Sequence, residues 1–107
     1  MATRLTTPIE AARSTAAFRI FQEALTNAVR HGNPTRVAAR VSTLRSTLRL
    51  CIRDDGVGIP AQVLARPQSL GLLGMHERAR SLGGVLRVSS EAGRGTTILV
   101  TLPHTHP

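Results

Sequence analysis

The chain has 107 residues, 41% of them hydrophobic, and a formal net charge of +8 in which all 14 basic residues are arginine. That length holds one domain and one core; without lysine, neither a GxxxxGK phosphate loop nor the strand lysine of a eukaryotic-type protein kinase can be built. One cysteine, Cys51, excludes an internal disulfide and suits a cytosolic setting, and no apolar run approaches the ~20 residues of a membrane span.

Residues 1–8 are polar, end at Pro8 and read as a loose start, with no signal peptide ahead of the first helix pattern. From Ile9 to about Arg30 there is no Gly or Pro, and Phe18, Phe21, Leu25 and Ala28 recur at helical spacing as an apolar stripe. His31-Gly32-Asn33-Pro34 stops that helix, with Gly32 suited to the C′ position. Val37, Ala39 and Val41 then alternate with polar or small residues, as do Leu48, Leu50 and Ile52 after a turn near Arg45-Ser46. The two runs predict an antiparallel hairpin. Residues 59–70, with Pro60 and Pro67, read as a loop with room for one short turn. Leu72, Met75, Ala79 and Leu82 share one face of a second helix that Gly83-Gly84 ends. Residues 85–90 and 96–102 form a second hairpin, and the tail from His104 reads as frayed. The expected architecture is a two-layer α/β sandwich of α+β class, with helices on one face of a mixed, mostly antiparallel sheet.

The positive charge raises nucleic acid as a partner. Against it, the arginines are scattered from Arg4 to Arg94, and the only aromatics, Phe18 and Phe21, sit in a helix pattern and offer no stacking platform. No nucleic-acid partner is expected; an acidic or phosphorylated partner fits the charge equally well.

Four places could carry chemistry, and each also has a plain structural reading. Glu23, Asn27 and His31 stand at i, i+4 and i+8 along one side of the first helix, as a polar site or as a solvated face. Asp54-Asp55-Gly56-Val57-Gly58 follows a strand. Its carboxylate could accept a hydrogen bond from an exocyclic amine such as that of adenine, with glycines admitting a flat base, or it is a tight turn. Gly71-Leu72-Leu73-Gly74 opens a helix whose free N–H groups could take a phosphate, or it is a flexible lead-in. Gly93-Arg94-Gly95-Thr96 could be a hairpin turn alone. Cys51 has no paired His and reads as a small sheet residue; His104 and His106 form no zinc set; His76 reads as exposed.

Together the four segments resemble a known set. FRIFQEALTNAVRH, residues 18–31, resembles the N box of bacterial two-component sensor kinases. DDGVG, residues 54–58, resembles their G1 box; GLLGMHERA, residues 71–79, their G2 box; and GRGT, residues 93–96, the loop before their last strand. The G2 form and short lid are similar to the subfamily of the nitrate and desaturase sensor kinases. The resemblance covers residues 8–103 of one domain spanning 1–107, with 1–7 and 104–107 expected as flexible ends.

That likeness implies the GHKL superfamily and its Bergerat ATP-binding fold, with ATP and Mg²⁺ as cofactors. It implies that Asp54 binds the adenine amino group, supported by Thr96 through water, with Gly56 and Gly58 shaping the base pocket. Asn27 would hold Mg²⁺, and Glu23 would be the catalytic group, orienting water at the metal or acting as a base. Arg30 or His31 would approach the phosphates. Gly71 and Gly74 would contact phosphate, with Leu72 and Met75 beside them, and residues 59–70 would form the lid. The implied activity is that of a histidine protein kinase's ATP-binding domain, donating the γ-phosphate to a His on a dimerising-helix domain in cis or trans, and thence to a response regulator. The setting implied is cytoplasmic, including the cytoplasmic part of a membrane-anchored sensor. The alternative is a stand-alone regulatory module similar to anti-sigma-factor serine kinases. Neither a phosphoacceptor helix, a sensor segment nor the strand usual before the N box is visible. The expectation is therefore a fragment, an excised domain or a minimal protein, with one sheet edge open or paired with another molecule.

Overall fold

In a computed structural model, the described residues are 2–4, 11–66 and 71–103, with side chains described over 14–66 and 71–103. The elements run β1 (Ala2–Arg4), α1 (Ala11–Asn27), a π-helical turn (Ala28–Gly32), β2 (Val37–Leu44), β3 (Thr47–Asp54), α2 (Ala61–Leu64), α3 (Leu72–Ser81), β4 (Val85–Glu91) and β5 (Gly95–Pro103). The strands form one sheet in the order β1-β2-β3-β5-β4. Only β1 and β2 are parallel; the other three pairings are antiparallel. The expected α+β two-layer sandwich with a mixed, mostly antiparallel sheet is the fold observed.

Alternation sets which sheet face is covered. In β3, Leu48, Leu50 and Ile52 are buried, while Arg49 and Arg53 are exposed; β5 repeats this with Ile98, Val100 and Leu102 inward. Helix α1 lays Ile20 and Ala24 on that apolar face, and α3 lays Leu72, Met75 and Ala79 beside them. Complete burial of each large aliphatic side chain contributes roughly 1.5–3 kcal/mol. The alanines bring helix backbone close to the sheet. Helix α3 ends as expected at its glycine pair: Gly83 N–H donates to the Arg80 carbonyl at 2.9 Å and Gly84 N–H to the Ala79 carbonyl at 2.8 Å, the pairing of a Schellman cap.

The structure corrects three sequence expectations. The start of the chain is not loose throughout: Ala2, Thr3 and Arg4 pair in parallel with Arg40, Val41 and Ser42. A strand therefore does precede α1, and it takes the β2 edge that looked open; backbone hydrogen bonding needs no apolar alternation. Phe18 is 58% exposed, and the buried stripe is Ile20, Ala24 and Ala28, with Phe21 and Leu25 at its margin. Gly32 does not terminate the helix; it is the last residue of the π turn, and Asn33 takes the left-handed conformation (φ 45°) instead. The short turn allowed within residues 59–70 is the four-residue helix α2, directly after Pro60. Ile9, Glu10, the lid residues 67–70 and the tail pair His104 and His106 lie outside the described residues.

Candidate functional site

Strand register does what sequence separation hides. Asp54 at the end of β3 is directly opposite Thr96 on β5, and Thr96 is opposite Ser90 on β4. The carboxylate and both hydroxyls therefore stand side by side at one end of the inner face. The π turn closes on the same end, because Val57 N–H donates to the Gly32 carbonyl at 2.8 Å. The resulting crevice is lined by Asn27, His31, Asp54, Gly58, Thr96 and Ile98 and narrows to about 30 Å³, room for one or two waters.

The G1 loop is tied down on three sides. Asp54 Oδ1 accepts from Gly56 N–H at 2.8 Å, and among the described residues nothing occupies its second oxygen. Gly93 N–H donates to the Val57 carbonyl at 2.9 Å, joining the loop to the β4–β5 hairpin. Asp55 reaches the other way: its carboxylate accepts from Thr35 N–H and Arg36 N–H, both at 2.8 Å, and from the Thr35 hydroxyl. Those bonds, the Thr35 hydroxyl first, hold the Asp55 carboxyl below its ordinary pKa. Gly56 is buried against the π turn, where an added Cβ would run into the Gly32 carbonyl and stand 2.9 Å from Asp54 Oδ1. Only a residue without Cβ lets loop and helix approach this closely.

The G2 segment meets α1 at Glu23. Gly71, at φ 70°, is the N-cap of α3, and a Cβ there would run into the Glu23 carboxylate. Glu23 thus stands at the free N–H end of α3, one turn before Asn27, which lines the crevice. The remaining expected site residues fall elsewhere. Leu72 and Met75 are fully inside the core, under the G2 turn. Gly74 lies beside the Arg78 guanidinium, with an added Cβ 3.2 Å from Nη1. Arg30 is exposed and outside the crevice lining, whereas exposed His31 is part of it. Among the described residues no three His, Cys, Asp or Glu side chains converge as a metal cage.

Sequence reasoning missed Ser90. Its hydroxyl accepts from Ile59 N–H at 2.6 Å and lies 3.1 Å from both the Gly95 carbonyl and the Thr96 hydroxyl. The signal was present: with Leu86 and Val88 inward on β4, the period-two rule turns Ser90 inward as well.

Comparison with known proteins identifies the family. The family described as "Histidine kinase-, DNA gyrase B-, and HSP90-like ATPase" matches residues 12–106. The sensor histidine kinase LiaS of Bacillus subtilis is 42% identical over 86 residues, covering 80% of this chain and 24% of that protein. The histidine-protein kinase/phosphatase UhpB of Salmonella typhimurium is 41% identical over 86 residues, covering 80% of this chain and 16% of that protein. The chain thus spans a quarter or less of these curated relatives. The histidine kinase domain of a blue-light activated histidine kinase from Erythrobacter litoralis superposes with a TM-score of 0.76 at 25% identity, covering 95% of this chain and 51% of that one.

Proposed function

Because the chain belongs to the histidine kinase-, DNA gyrase B- and HSP90-like ATPase family, as an ATP-binding domain of the sensor histidine kinase type, we propose that it binds Mg-ATP over the mouth of the crevice between α1 and the G1 loop. It then presents the γ-phosphate to a histidine on a dimerising-helix domain, and a response regulator's aspartate takes the phosphate onward. The observation that carries this reading is the side-by-side register of Asp54 and Thr96 at a crevice whose other wall bears Asn27.

Asp54 offers its second oxygen to the adenine amino group, with Thr96 and an intervening water completing the contact. Gly58, at φ 82° and packed against the Glu91 carbonyl where a Cβ would collide, holds the G1 loop in place beside the base. Asn27 and, through water, Glu23 are the residues that would hold Mg²⁺. A lone amide and one carboxylate suit an ion bound mostly by phosphates and waters. When bound, Mg²⁺ neutralises charge on the phosphates during transfer. Gly71 with the α3 N-terminus, and His31, face the phosphate end. Glu23 is the base for the attacking imidazole: the new N–P bond forms as the γ-phosphoryl leaves ADP. Among the described residues no helix is long and apolar enough to cross a membrane, and we assign the domain to the cytoplasmic part of its protein.

The test is calorimetry with Mg-ATP and with adenosine. Hydrogen bonds to a charged group contribute about 1.5–3 kcal/mol, so Asp54→Asn should weaken both ligands by about ten- to hundred-fold. Asn27→Ala should weaken Mg-ATP more than adenosine. Unchanged ATP affinity in Asp54→Asn would sink the pocket assignment, and equal losses for both ligands in Asn27→Ala would contradict the metal role.

A further inference from the structure

The helices cover one face of the sheet. The other is built from three rows that the register defines across β2, β3, β5 and β4: Ala38–Arg53–Thr97–Ser89, Arg40–Cys51–Leu99–Arg87 and Ser42–Arg49–Thr101–Val85. Cys51 and Leu99, both half-buried, form the centre. Arg40 flanks Cys51 on one side and Arg87 flanks Leu99 on the other, while Arg49 and Arg53 stand two residues before and after Cys51 on β3. All four arginines are exposed, and among the described residues none is paired with a carboxylate. A shallow trough of about 730 Å³ runs along Arg40, Cys51, Arg53 and Leu99. Glu91, at the far end of β4 and paired with Arg94, is the only described carboxylate in a strand position of this outward parity.

We propose that this face is a docking surface for an acidic amphipathic helix from a protein partner, which would lie on the sheet as a third layer. The spacing selects that occupant. Arg49 and Arg53 are about 13 Å apart along β3, too far for one small anion and near the ~10–12 Å that separates residues seven or eight apart on a helix. Arg40 and Arg87 are three strand spacings apart, about 14 Å, which lets their side chains reach both flanks of one helix of ~10–12 Å diameter. Guanidinium forks suit carboxylates in two-point contact, and Cys51 and Leu99 give an apolar seam only two residues wide. Single-stranded nucleic acid is less suited, since no aromatic side chain lies on this face for stacking, and a duplex, held by its phosphates, would leave the Cys51–Leu99 seam without an apolar partner. A bilayer is less suited because Leu99, the large apolar side chain at the centre, is half-buried between the arginines, and exposed Leu44 and Val85 lie only at the margin of the face. A second copy of a chain carrying +8 is repelled. The surface lies on the sheet face opposite the crevice, so the proposal stands apart from the nucleotide reading.

The experiment uses a synthetic peptide helix with a leucine stripe flanked by glutamates, and a scrambled peptide of identical composition. Binding to the intact protein is followed by fluorescence anisotropy at low and high salt. Salt-sensitive binding of the amphipathic peptide is expected, at least tenfold tighter than the scrambled one. The double variant R40Q/R53Q should weaken it at least tenfold, while keeping the unfolding midpoint of the unaltered protein. Cys51→Ser, which retains size and all four charges, should weaken it only a few-fold. Equal affinity for the scrambled peptide, no loss in the double variant, or tighter binding of phosphatidylglycerol vesicles or duplex DNA would each overturn the proposal.

Discussion

Ser90 has one proton to give and three neighbours within reach. Ile59 N–H already donates to it at 2.6 Å, so its own proton goes either to the Gly95 carbonyl or to the Thr96 hydroxyl. In the first case Thr96 must donate to Ser90 and turns only acceptor lone pairs toward the crevice; in the second it has a proton for a ligand or water. Ser90 therefore governs which polarity Thr96 presents. Ser90→Ala removes that control and leaves the part-buried Ile59 N–H without its partner, a loss of about 1 kcal/mol, toward the low end for an unsatisfied donor. A lowered urea midpoint and weaker ATP binding are expected, with Ser90→Thr restoring most of both; an unchanged midpoint would refute the hub. Asp55 yields a pH prediction. Its folded-state pKa lies below the ordinary value because Thr35 and Arg36 donate to the ionised form. A carboxyl depressed in the folded state stabilises it above the ordinary value, and that contribution disappears as pH falls from there through the lowered folded value. Acid titration of unfolding should show this decline, and in Asp55→Asn the corresponding slope should vanish. If the variant keeps the same slope, another group is responsible.

Elements join where the π turn follows Asn27. A π segment holds more residues per turn than an α-helix, and here it brings the Gly32 carbonyl to Val57 N–H and Gly56 against Gly32. Gly56→Ala would push the G1 loop off the helix; overpacking of this kind costs about 1–3 kcal/mol, and Asp54 would move with the loop. Both the melting temperature and ATP affinity should fall, and a loss of stability alone would show the loop can relax without disturbing the site. The β2–β3 turn is a local counterpart: Arg45 sits at φ 56° with no glycine to ease it. Since a left-handed L-residue costs roughly 1–2 kcal/mol, Arg45→Gly should raise the denaturation midpoint, and a lowered midpoint would show the side chain compensates. Strands, hairpin turns and the α3 cap were legible because alternation and glycine punctuation are local signals. Strand β1 was not, since Ala-Thr-Arg carries no alternation and pairs through its backbone. The buried face of α1 was misjudged because Phe18 outweighs Ala24 and Ala28 in any hydropathy pattern, although the alanines are what fit against the sheet. The motif residues Asn27 and Asp54 could be read directly, whereas the Asp55 clamp acts on backbone N–H groups that no sequence pattern displays.

At the scale of the whole molecule, the proposed nucleotide binding would be linked to folding. The crevice exists only when the π turn, the ends of β3 and β5 and the G1 loop are assembled, so a ligand that occupies it binds the folded chain and not the unfolded one. Such a ligand at a hundredfold excess over its Kd stabilises by about 2.7 kcal/mol. For a chain of this size that raises the melting temperature by about 10–20 °C. A second effect must be separated from this one: a chain of net charge +8 repels itself, and any polyanion relieves part of that repulsion. The two differ in chemistry. Inorganic triphosphate carries the phosphates without the base, and adenosine the base without the phosphates. Thermal scans with Mg-ATP should show the full shift and adenosine a smaller one. Triphosphate should show a still smaller one that fades as salt rises. Asp54→Asn should lose the adenosine and Mg-ATP shifts together while keeping the triphosphate response, because the role proposed for Asp54 lies at the base end alone. If triphosphate matches Mg-ATP at moderate salt, the stabilisation is charge relief and the crevice is not the nucleotide site.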